Sequence, residues 1–156
     1  MSIPIALLAA WASSWFMTGL IWFVQVVHYP LFAEVDPERF PVYHAAHTRW
    51  TTWVVALPML VELAAAGWLV VRPEPGFPVV ISWLGFGLVL AVWGCTSLIQ
   101  VPLHACLARG FDARCHAMLV ASNWCRTGLW TCHALVASWQ WVAWVGATRG
   151  GGVGQP

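Results

Sequence analysis

The sequence predicts an all-α protein, a four-helix antiparallel transmembrane bundle, and three observations carry that prediction. Apolar residues make up 60% of the chain and charged residues only 8%. Four apolar runs, at about 4–28, 49–71, 79–103 and 117–146, reach the roughly 20 residues that a bilayer-spanning helix needs. There are too few charged side chains to give four helices the polar outer faces of a soluble bundle.

At 156 residues the chain is one domain, residues 1–149, with a Gly-rich tail over 150–156 that is expected to be disordered. The first run lacks a basic lead and is too long for a signal-peptide core, so it reads as a retained helix. The net charge is +1 with no Lys. That gives no basis for a nucleic-acid partner or an anionic-lipid-binding tail, and leaves the bilayer as the partner. Arg39, Arg49, Arg109 and Arg114 flank the first and third connections, against Arg72 and Arg149 on the other side. The positive-inside rule then puts those two connections in the cytoplasm and both termini outside, in a bacterial-type inner membrane. A homo-oligomer is compatible with this layout. Of the five Cys, Cys95, Cys125 and Cys132 fall inside runs as small core residues. Cys106 and Cys115 share a connection and pair only on an oxidising side; the odd count and the cytoplasmic assignment argue against a disulfide.

The first helix has Ser2 as N-cap and Pro4 in its first turn, and carries the small residues Ser13, Ser14, Thr18 and Gly19, which allow close packing in lipid. Pro30 should end or kink it. The second helix is expected to start near Pro41. It places His44, His47, Thr51, Pro58 and Glu62 on one stripe, with Trp50 and Trp53 at headgroup depth. The third runs from Val79 to Gln100, Pro102 and His104, and Arg109-Gly110-Phe111-Asp112 reads as a turn. On the fourth, Asn123, Arg126, Thr127, Trp130, His133, Ala137 and Gln140 follow helical spacing along one face. The two hairpins can be aligned, Gln25…Pro30…Phe40…Arg49…Trp53 against Gln100…Pro102…Phe111…Arg126…Trp130; internal duplication and chance are both readings of this match.

Helix direction gathers the chemistry. His28, Tyr29, His44, His47, His104, His116, Asn123 and Arg126 all belong to one membrane face. Ionisable groups such as Arg126 and Glu62 inside a span are costly, and they normally face the bundle interior at a functional site. His28, His47 and His116 also fit as interfacial residues wetted by headgroups. Glu62 suits a protonated, hydrogen-bonded structural role as well as a functional one. The metal signal is weak: the one close His pair is His44/His47, no carboxylate-to-His spacing of the ferritin type occurs, and no metal site is assigned. CxxCH is absent.

At Val101-Pro102-Leu103-His104 and Asn123-Trp124-Cys125-Arg126-Thr127, with Tyr29-Pro30 after the first helix, the chain resembles the anthrone oxygenase-like family of small four-helix integral membrane proteins. His104 stands where that pattern has Asn, and the His complement near the second helix is richer. The resemblance implies cofactor-independent oxidation of an electron-rich polycyclic phenol by O₂. On that reading His104 or His44 is the base, and Arg126 and Asn123 stabilise the oxyanion. Trp124, Trp130, Tyr29 and Gln100 bind a lipophilic aromatic or quinone-like substrate. The alternative reading is a non-enzymatic protein that binds haem or a metal ion, or a small subunit of a larger membrane assembly.

Overall fold

The chain folds into four consecutive helical rods in the computed structural model, which describes residues 4–73 and 78–150, with side chains to residue 147. The expected Ser2 cap and most of the Gly-rich tail lie outside the described residues. Pro4, extended at φ −64° and ψ 117°, occupies the cap position of α1 (Ile5–Phe23). The rod continues as a π turn (Val24–His28) and a 3-10 turn (Pro30–Glu34).

Pro30 explains that change of winding. Its nitrogen carries no hydrogen and its ring crowds the carbonyl one turn back, so a regular α-helix cannot run through it undisturbed. The helix widens beforehand instead. The Tyr29 amide donates to Val24 O, five residues back, at 2.9 Å, which is π geometry. The third rod repeats the device. It comprises α3 (Val79–Cys95), a π turn (Thr96–Gln100) and α4 (Val101–Leu107), with Pro102 in the first turn of α4. The π turns begin 72 residues apart, at 24 and 96, and so do the prolines, at 30 and 102. The backbone repeat therefore has a register that neither the Gln25/Gln100 nor the Arg49/Arg126 match shares.

The second and fourth rods are single helices, α2 (Phe40–Val71), which carries Pro58 internally, and α5 (Ala113–Gly150). Short capped turns join the rods at the site end. Asp36 Oδ1 accepts from the Glu38 amide at 2.9 Å, and Asp112 Oδ1 from the Cys115 amide at 2.7 Å. Gly110 has φ +139°, a conformation that L side chains rarely adopt, so glycine is required there.

Indole and hydroxyl groups lock α1 to α5. Trp11 and Trp15 Nε1 donate to Ser138 Oγ at 3.2 and 2.8 Å, Trp22 Nε1 to Thr131 Oγ1 at 3.1 Å, and Thr18 Oγ1 to Trp130 O at 3.1 Å. Gln25 reaches Val120 O at 3.1 Å. Partner numbers on α5 thus fall from 138 to 120 as those on the first rod rise from 11 to 25. Each bond also turns a polar hydrogen inward, where lipid offers no acceptor. The larger core cluster, including Met17, Phe32, Phe40, Val92, Leu107 and Trp130, sits toward the site end. A smaller one of Leu7, Ala10, Ala65 and Leu69 closes the other.

The outer surface is apolar: Leu98 is 79% exposed, Trp53 73% and Leu57 68%. Such a surface suits hydrocarbon and would aggregate in water. Among the described residues three rods, Ile5–Glu34, Phe40–Val71 and Val79–Leu107, are long and apolar enough to cross a membrane. This is an integral membrane protein by length and composition. α5, with its polar stripe, does not reach that hydropathy.

One expectation is corrected. Cys106 and Cys115 form a disulfide, with Cα atoms 6.5 Å apart. The tight turn between α4 and α5 brings them within bridging distance, and the odd count carries no weight because Cys95, Cys125 and Cys132 stand on the rods as free thiols. Alkylation of the denatured protein should therefore modify three cysteines before reduction and all five after it, read by intact mass. Five modified before reduction would refute the bridge.

Candidate functional site

Both π turns and the two helix starts deliver polar groups to the same end of the molecule. The π turns point Gln25 and Gln100 inward, at 2% and 1% exposure. Gln25 Oε1 accepts from Asn123 Nδ2 at 2.8 Å, and Asn123 Oδ1 accepts from Arg126 Nη1 at 3.2 Å. Each amide thus works in both directions, which fixes its orientation. Gln100 Nε2 donates to Ser122 Oγ at 2.9 Å.

Above this amide layer the imidazoles stand in two pairs. His28 Nε2 and His47 Nδ1 are 2.7 Å apart, and His44 Nε2 and His104 Nδ1 are 3.0 Å apart. The Tyr29 hydroxyl lies 3.0 Å from His104 Nε2, so both nitrogens of His104 are engaged. His116 Nε2 donates to Tyr29 O at 2.8 Å, which ties the start of α5 to the end of the first rod. Phe32 and Phe40 pack edge-on and stacked against these rings and fix their planes.

Below the amides, Arg126 is 7% exposed, and its guanidinium carbon lies 5.0 Å from the centroid of the Trp130 ring. Trp130 is fully buried and donates Nε1–H to Glu62 Oε2 at 2.9 Å; Glu62 Oε1 contacts His133 Nδ1 at 2.7 Å. A cation on the indole face and a carboxyl group on its N–H edge therefore share one aromatic ring, so that each buried group has a partner.

A cavity of ≈300 Å³ opens between α2 and the α3–α4 rod. Tyr29, His47, Gln100, His104 and Arg126 form its polar end. Its walls are Thr48, Thr51, Thr52, Thr96, Val55 and Val101. Three of the threonines bond back to their own helix, Thr48 to His44 O, Thr52 to Thr48 O and Thr96 to Val92 O. With its hydroxyl occupied, threonine contributes its methyl group to a wall, so these walls are more apolar than the sequence suggests. Thr52 and Val101 are exposed, so the mouth faces outward between the rods. Two residues of the polar end keep an unpaired buried atom, Gln100 Oε1 and Arg126 Nε, and such atoms mark places where a ligand group can be received.

No family model, curated protein or solved structure matches this chain.

Of the residues selected from sequence, His104, Arg126, Tyr29 and Gln100 line the cavity, while His44 and Asn123 stand one contact behind, through His104 and Arg126. Trp124 is 51% exposed, its ring meeting Trp22 edge-on at 5.6 Å on the outer surface. It follows Asn123 directly, and one helical step turns a side chain about 100° off the inward stripe. Trp130 lies on the stripe but beneath the cavity, beside Glu62. His47 and the threonine walls were not selected as site residues, although Thr48, Thr51 and Thr52 continue the His44/His47 face at helical spacing. Among the described residues, only Cys106, Asp112 and Cys115 bring three metal-binding atoms within 4.8 Å of one another, and two of these are consumed by the disulfide. The imidazoles are joined in pairs and not gathered as a ligand triad.

Proposed function

We propose that this protein, read as a four-helix antiparallel bundle crossing the bilayer, takes a lipophilic phenol or quinone-like aromatic molecule from the membrane and acts on it as an oxygenase-like oxidoreductase. The observation that carries this reading is the cavity. It lies at the low end of the roughly 300–1,000 Å³ typical of small-molecule sites, its mouth opens outward between apolar rods, its walls are apolar, and its one polar end combines a guanidinium, an amide, a phenol and imidazoles.

The chemistry follows from that end. A hydroxyanthrone has an acidic ring CH₂ and an oxygen that becomes an enolate when the CH₂ loses a proton. His47, which borders the cavity beside His104, suits the role of base, since both nitrogens of His104 are held by Tyr29 and His44; Arg126, backed by Asn123, suits stabilisation of the enolate oxygen. The electron-rich carbanion adds O₂ to give a hydroperoxide, which collapses to C=O with loss of water. The sum is CH₂ + O₂ → C=O + H₂O, and no cofactor enters it.

Oxygen consumption by the detergent-purified protein with a hydroxyanthrone tests this. The wild type should turn over, and Arg126→Ala should fall by about 10²-fold, the scale of losing one oxyanion donor. A folded Arg126→Ala protein with wild-type turnover contradicts the role, and a Soret band or stoichiometric iron or copper in the purified protein favours the haem or metal alternative.

Orientation follows from the disulfide. Bridges form and persist in oxidising compartments, so we place the His-bearing end outside the cytoplasm, against the Arg count of the connections. A membrane-impermeant maleimide, applied to intact cells after an impermeant reductant, should label Cys106 and Cys115; labelling only after lysis would restore the opposite orientation.

A further inference from the structure

A second, outer groove of ≈210 Å³ lies on the far side of α2, between α1 and α2, lined by Phe23, His28, Trp50, Thr51 and their neighbours. His47 belongs to the lining of the inner cavity and His28 to that of the outer groove, while Thr51 belongs to both. The wall between the two spaces is therefore the His28–His47 contact itself, 2.7 Å between ring nitrogens, with Thr51 Oγ1 at 3.1 Å from the same His47 Nδ1. Trp50, 60% exposed, borders the groove, and the exposed Arg49 stacks on it at 4.9 Å, the aromatic and cationic pairing expected where a helix meets headgroups and water.

The other imidazole pair cannot serve as an outlet. His104 has both nitrogens occupied, by Tyr29 and His44, and beyond it His44 Nδ1 is buried without a partner. That branch ends inside the protein. His47 differs, because its Nδ1 is bonded to His28 and Thr51 while its ring also borders the inner cavity.

We propose that His47 and His28 form a two-imidazole proton bridge between the inner cavity and the outer groove, so that a proton given up by a bound ligand leaves through His28. The ligand's acidic O–H or C–H passes its proton to His47 Nε2 and keeps the electron pair. The hydrogen on His47 Nδ1 moves to His28 Nε2, and the hydrogen on His28 Nδ1 departs to water. Outward passage reverses both tautomers. A proton returning along the same path, as formation of water from O₂ requires, restores them.

The groups that face the bridge come from every element around it. His47 is faced by His44 from its own helix, by Tyr29 and His28 from the first rod, by His104 from α4, and by the Arg126 guanidinium across the cavity from α5. Arg126 stands on the cavity side of this group and His28 on the groove side. The bridge stands on this geometry alone; only the ligand as proton source rests on the function proposed above.

Nitrogen-15 NMR of His-labelled protein in lipid nanodiscs, following solvent exchange of the His47 ring N–H, tests the bridge without any substrate. His28→Gln keeps a hydrogen-bonding group of similar reach but cannot relay a proton, and should slow exchange at least about tenfold. His28→Ala should slow it likewise, and imidazole added to the buffer should restore it. Exchange at the wild-type rate in His28→Gln, or no effect of imidazole on His28→Ala, overturns the proposal. With a hydroxyanthrone as probe, His28→Gln should lose turnover and keep binding. Failure of the wild type to bind that probe would remove the proposed function while the exchange result still decides the bridge.

Discussion

Everything at the site end is arranged around one buried guanidinium. Arg126 lies too far along α5 to reach water freely, and an ionised group in low dielectric demands a counter-charge or dense hydrogen bonding. The bundle supplies an amide acceptor, an aromatic face and, beyond that ring, a carboxyl group. Asn123 accepts from it and is held by Gln25, while Trp130 offers its ring face to the cation and its N–H to Glu62. Glu62, on α2, is in turn held by His133. One charge thus involves three rods, because a shift of α1, α2 or α5 would leave a polar group unpaired in an environment without water.

The proline-driven π turns create the conditions for this arrangement. Each adds a residue to one turn of helix, which swings the following side chains around the axis. Gln25, the second residue of its π turn, and Gln100, the last of its own, both face inward. The cavity lies just beyond the turns, between α2 and the α3–α4 rod. The helix ends beyond it are closed by the Asp36 and Asp112 caps and by the Cys106–Cys115 bridge, so the imidazoles sit on a braced end and not on loose connections.

Much of this was legible in the sequence, because helix periodicity and lipid leave little freedom. Asn123, Arg126, Thr127, Trp130, His133, Ala137 and Gln140 share a face by spacing, and all seven are buried. His44, His47 and Glu62 are likewise buried on α2, and the convergence of His28, Tyr29, His44, His104, Asn123 and Arg126 follows from helix direction alone. What spacing could not resolve was pairing. It placed Trp130 on the inward face without indicating that Glu62 would claim its N–H. It showed threonines on α2 without showing that their hydroxyls turn back to the helix. Loop chemistry was also misjudged, since a count of cysteines says nothing about which two lie across a tight turn. The π turns leave no trace in hydropathy, which averages over a single inserted residue.

The central claim is that Arg126 and Glu62 compensate each other through Trp130, and a double-mutant cycle measures that coupling directly. Unfolding stability would be compared for wild type, Arg126→Met, Glu62→Leu and the double variant in the same detergent. The account predicts that each single variant is destabilised by its orphaned partner, and that the double variant is more stable than the sum of the two losses by about 1–2 kcal/mol. Losses that add to within about 0.5 kcal/mol would show the two groups to be independent and contradict the claim.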